Sequence, residues 1–148
     1  MIKDNFKAKG RLNIVVKDAE GNVKDSREVD NLVVNTGLAY IASRMKDTTD
    51  TAMTHMAVGT GTSAAAAGDT ALGSESHREA LDSTTVTSNA IAYVSSFEAG
   101  EGTGALTEAG IFNAASAGTM LCRTVFDVVN KGANDTMSIT WTITITAA

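Results

Sequence analysis

The residues of this chain with the reach for chemistry are few. Glu75, His77 and Glu79 alternate, so on an extended strand they would share one face, as three ligands of a metal site must. His55, the second of two histidines, has no HxxxH or HxH partner. The Glu75–Glu79 stretch therefore reads as a solvated, charged strand edge. Asp18-Ala19-Glu20-Gly21-Asn22 opens like a calcium loop, but Val23 stands where such a loop needs glycine to turn. That segment reads as a hairpin turn. Gly100, Gly102 and Gly104 are not set between a strand and a helix, and no Lys-Ser/Thr follows them, so they make no phosphate cradle. Cys122, the single cysteine, excludes an internal disulfide and a CxxC zinc site, and within an apolar strand it reads as a small buried hydrophobe. No serine lies in a G-x-S-x-G elbow. No pair of carboxylates on facing strands recommends itself for glycoside hydrolysis. The expectation is a protein without catalysis, cofactor or metal.

The elements that carry these residues are predominantly strands. The chain has 148 residues, 43% hydrophobic and 20% charged, with a net charge of −5. One domain of this size buries a core without crosslinks. The acidic balance argues against a nucleic-acid binder and against a basic membrane-surface helix. No apolar run is long enough for a membrane span or a signal-peptide core, so the expectation is a soluble protein of a reducing cytosol. Threonine occurs 20 times and alanine 23 times, against 4 Phe, 2 Tyr and 1 Trp. Such small and β-branched residues suit thin layers of pleated sheet.

Residues 1–6 have no period and read as an N-terminal arm, with a single domain over 7–148. Leu12, Ile14 and Val16 alternate from Lys7 onward, and after the 18–22 turn a return strand runs from Val23 towards Val34. Leu38, Ile41, Ala42 and Met45 fall on one stripe of a short helix that Asn35 or Thr36 caps. Gly59 to Thr70 lacks any apolar period and reads as a long loop. Strands cover Met53–Val58 before that loop and Arg78–Thr87, Ala90–Ala99, Ala105–Asn113 and Thr119–Val129 after it. The last segment is the clearest: Met137, Ile139, Trp141, Ile143 and Ile145 alternate with Ser138, Thr140, Thr142, Thr144 and Thr146. It predicts one buried face and one wet or partner-facing face. Some eight strands, one helix and no βαβ rhythm predict a mainly β fold, an antiparallel β-sandwich or jelly roll.

Several stretches carry a family resemblance. They are Asn31-Leu32-Val33-Val34-Asn35-Thr36-Gly37 with Ile41-Ala42-Ser43-Arg44-Met45, and His55-Met56-Ala57-Val58-Gly59-Thr60-Gly61-Thr62 with Asp69-Thr70-Ala71-Leu72. To these add Leu106-Thr107-Glu108-Ala109-Gly110-Ile111-Phe112-Asn113 with Gly118-Thr119-Met120-Leu121-Cys122-Arg123-Thr124-Val125-Phe126. Together they resemble the cement (decoration) proteins of tailed bacteriophages, which bind the outside of the icosahedral capsid. The resemblance implies a jelly-roll-like structural protein of the virion, not an enzyme, made in the host cytoplasm and placed on the capsid exterior. Its implied partner is the major capsid protein, with self-association as a dimer before a trimer, and neither nucleic acid nor membrane is expected to bind. Similar Glu-x-Gly-hydrophobic-Phe blocks occur in tail-fibre and baseplate proteins, so the alternative is a tail-fibre or baseplate structural or adhesion module. An adhesin would stack sugars on exposed rings, whereas the alternation of the last strand places Trp141 in the core. The basic N-terminal end of an otherwise acidic chain suits contact with an acidic shell. Ile2, Lys3, Phe6, Lys7, Lys9 and Arg11, with Thr60 and Thr62 of the glycine loop, are the candidate capsid contacts.

Overall fold

A computed structural model describes residues 5–46 and 50–147. In chain order the elements are β1 (Phe6–Lys17), β2 (Val23–Asp30), β3 (Leu32–Val33), α1 (Asn35–Lys46), β4 (His55–Gly59), β5 (Glu75–Ala80), β6 (Ser83–Thr87), β7 (Ala90–Phe97), β8 (Gly104–Phe112), β9 (Met120–Lys131) and β10 (Thr136–Ala147). One antiparallel sheet has the order β2-β1-β10-β7-β6 and the other β3-β9-β8-β4-β5. The mainly β sandwich with a single short helix is thus the fold that the sequence predicts.

The first sheet is organised by β1 and β10, which pair from Phe6↔Ala147 to Lys17↔Thr136. Leu12, Ile14 and Val16 of β1 and Met137, Ile139, Trp141 and Ile143 of β10 enter the core, while Thr140, Thr142 and Thr144 are half-buried on the other face. Phe6 belongs to β1 and not to an arm, because β10 extends far enough to pair with it. Ile2 and Lys3 lie outside the described residues.

Two expected strands are each divided between the sheets. Val23–Val34 becomes β2 in one sheet and β3 in the other, and Arg78–Thr87 becomes part of β5 and all of β6. Val29 of β2 and Val33 of β3 pack against the same core, so alternation continues through that crossing and leaves no mark in the sequence. By contrast, β6 is exposed along its whole length and has no apolar face to show that it has changed sheets.

The helix is rotated from the expected stripe. Gly37 and Tyr40 are buried, while Leu38 is 43% and Met45 83% exposed. Close approach to β9 decides the rotation. A Cβ at Gly37 would lie 1.9 Å from the Leu121 carbonyl oxygen, and Thr36 Oγ1 donates a hydrogen bond to the Met120 carbonyl at 2.7 Å. Gly37→Ala is therefore expected to push the helix off β9 and to destabilise the fold by about 1–3 kcal/mol, the usual range for overpacking. Urea denaturation of the two proteins measures it, and an unchanged midpoint would contradict the contact.

Candidate interaction surface

The resembling stretches converge on one buried charge. Glu108 of β8 is fully buried on the outer face of its sheet. Its carboxylate accepts hydrogen bonds from the backbone N–H groups of Gly61 (2.7 Å), Gly73 (2.8 Å) and Ser74 (2.6 Å). Arg123 of β9 reaches the same carboxylate through Nε (3.1 Å) and Nη2 (2.9 Å). Its guanidinium also donates to Asp69 (2.8 Å) and to the Ser63 carbonyl (3.0 Å). Thr107 Oγ1 donates to the Gly61 carbonyl. A Cβ at Gly61 would meet a Glu108 oxygen at 2.4 Å, so glycine is what lets the loop come this close.

This centre pins the long 60–74 loop over the sheet, and beneath that loop Val34, Ala57, Leu72, Phe112 and Met120 form a second small core. The loop is thus spent on scaffolding. Thr60 is exposed, 3.3 Å from Ser74 Oγ. Thr62 lines shallow hollows on the far side of the 30–32 crossover from the lysines of β1.

Burial alone would raise the Glu108 pKa. The N–H groups of Ser74 and Gly73, the Arg123 guanidinium and the Gly61 N–H outweigh it and hold the carboxyl below its usual range. Asp69 is lowered first by the Ala66 N–H and, against its own desolvation, by Arg123. Carboxyls depressed in the folded state supply stability that is complete above their unfolded values, about 4, and is lost as pH falls through the folded values. The thermal midpoint should accordingly be level near neutrality and drop once the pH passes below about 4. A thermal scan series from neutral to acid pH checks this, and a midpoint that rises on acidification would refute it.

Four of the sequence-predicted contacts, Phe6, Lys7, Lys9 and Arg11, do come together. With Thr140, Thr142 and Thr144 of the adjoining β10 they line an open groove of about 940 Å³ that extends past the edge of β1 to Leu32 and Leu38. The groove exists because β2 pairs with β1 only over Arg11–Lys17. Beyond that point β2 turns at Asn31, whose N–H donates to the Gly10 carbonyl at 3.1 Å, and the chain crosses to β3. Arg11 is neutralised within the fold by Glu28 at 3.1 Å and Asp30 at 3.8 Å. Lys7 and Lys9 are exposed and have no ion pair among the described residues. Leu32 and Leu38 escaped the sequence reading because an apolar residue on a strand or helix stripe reads as core. The one sign of them in the sequence is the short spacing between Asp30 and the helix, over which the chain leaves the first sheet.

The metal-capable trio differs from the one the spacing suggests. Arg78 takes Glu75 at 2.7 Å and lies 3.8 Å over the Phe112 ring. Glu101, from the turn after β7, instead joins His77 and Glu79, with ligand atoms within 4.8 Å of one another. His77 Nε2 and Glu79 Oε1 are 2.8 Å apart and satisfy each other. Cys122 is fully buried, and burial pushes its thiol strongly up. It is inert as a nucleophile at neutral pH. No family model, curated protein or solved structure matches this chain.

Proposed function

We propose that the protein is a structural component of a tailed-bacteriophage virion, a cement protein that binds the outer capsid surface and ties neighbouring major capsid protein subunits together without catalysis. The observation that carries this reading is the groove beside β1. Lys7 and Lys9, which have no ion pair among the described residues, and exposed leucines meet there on the sandwich, which is what a clamp on an acidic shell requires. The family resemblance supports the same reading. So does the use of its Glu108, Asp69 and Gly61 positions to lock the scaffold on which the groove is built.

Mixing the purified protein with undecorated shells tests the proposal. Saturable decoration of heads, and shells that withstand heating better once decorated, are the expected results. Attachment to tails alone, or to neither part of the particle, would overturn it. Removal of residues 1–5 leaves β1 intact and separates the contribution of the preceding segment from that of the groove.

A further inference from the structure

We infer that the groove takes an extended segment of the partner protein as an added strand, paired with the free edge of β1 and presenting acidic side chains to Lys7 and Lys9. The inference rests on the reading of the protein as a binding module of the virion and names what that module grips.

The edge is the first ground. β10 pairs with the whole length of β1 on one side, whereas on the other side the last contact is the Asn31 N–H on the Gly10 carbonyl. Backbone groups of a strand alternate sideways, so those of Ala8 and Phe6 point the same way as those of Gly10. That direction is towards the space that β2 has left, where no strand pairs with them among the described residues. An edge of this kind is a template for one more strand at a spacing of about 4.8 Å.

The walls are the second ground. A strand laid there would turn alternate side chains to opposite sides. One row would stand beside Lys7 and Lys9, which have no ion pair among the described residues. The other row would lie towards Leu32 and Leu38, which are 37% and 43% exposed. The matching segment alternates Asp or Glu with an aliphatic residue. A second copy of β1 does not match, because antiparallel pairing would bring its lysines against these. The edges at β2 and β5 are different in kind, since Arg27 is satisfied by Asp25 and Arg78 by Glu75 within each strand.

The test uses the full chain and a capped heptapeptide alternating glutamate with valine, with a lysine–valine peptide as its counterpart. Amide hydrogen exchange followed by NMR should slow at least tenfold at Ala8 and Phe6 with the glutamate peptide and stay unchanged with the lysine peptide. Ala8→Pro deletes an N–H that faces away from β10 and meets no strand among the described residues, so it should keep the thermal midpoint and lose the peptide. Should that variant unfold, the double replacement Lys7→Glu with Lys9→Glu serves instead, and it should reverse the preference between the peptides. A glutamate peptide that leaves Ala8 and Phe6 unprotected, or that binds a folded Ala8→Pro protein as well as wild type, overturns the inference. Undecorated shells separate it from the reading beneath it. Equal decoration by wild type and Ala8→Pro keeps the cement role and removes strand addition. Protection by peptide with no decoration of shells keeps strand addition and removes the cement role.

Discussion

Arg123→Met is expected to destabilise the protein by about 3–5 kcal/mol, the range for removing one partner of a buried ion pair. The Arg123 side chain is 3% exposed and that of Glu108 not at all, so the methionine replaces bulk but leaves the carboxylate without its countercharge. Asp69 and the Ser63 carbonyl each lose the guanidinium donor at the same stroke, and Asp69 keeps only the Ala66 N–H. Loosening should therefore concentrate in the 60–74 loop, with faster hydrogen exchange at the Gly61, Gly73 and Ser74 amides. Adding Glu108→Gln to Arg123→Met should recover part of the loss, although the amide nitrogen forfeits the bond from Gly73. An amide oxygen in place of Oε2 still accepts from the Gly61 and Ser74 N–H groups, and the unpaired charge is gone. The pH response is diagnostic too. Without the guanidinium, burial weighs more heavily on the Glu108 carboxyl and lifts its pKa, so the variant should lose less stability than wild type as the pH is lowered. Chemical denaturation of the single and double variants decides the matter, and a loss below about 1 kcal/mol for Arg123→Met would remove the centre from the account.

Trp141→Ala should cost a similar amount, about 3–5 kcal/mol, for a different reason. Trp141 is fully buried in the middle of β10, opposite Leu12 of β1 and Tyr93 of β7. Truncation empties the largest volume in the core, and the sheets on either side are too well tied to collapse into it. The neighbouring Thr142→Ala should change stability by no more than about 1 kcal/mol, since its side chain stands on the opposite, half-buried face. Trp141→Phe should fall between the two, because the indole Nε1–H has no hydrogen-bond partner among the described residues and the phenyl ring keeps most of the buried volume. Urea titrations with comparable slopes measure all three. Equal losses for Trp141→Ala and Thr142→Ala would mean that β10 is displaced by one residue and presents the other face to the core.

The sequence alone determined those parts of the protein that depend on near neighbours in the chain. The strict alternation from Met137 to Ile143 defines which face of β10 is buried, and the turn at 18–22 joins β1 to β2 as a hairpin. Period two with a polar alternate row is a local property, readable wherever one face meets a core and the other does not. The absence of a βαβ rhythm likewise sufficed for an antiparallel sandwich.

What the tertiary structure decided depends on residues far apart in the chain. The splitting of Val23–Val34 and Arg78–Thr87 between sheets, and the turn of α1 onto Gly37 and Tyr40 instead of Leu38 and Met45, are set by what β9 and the facing sheet present. The Glu108 centre gathers groups from Gly61 to Arg123, and no spacing along the chain announces that two charged residues in apolar strands will pair beneath a loop. The basic residues at the start of β1 are plain in the sequence. That they border a groove is not, for the groove joins the threonine face of β10 to the gap left when β2 abandons β1 after Asn31, with Leu38 turned outward beside it. Local pattern states which side of a strand is apolar; only packing states where its neighbour ends.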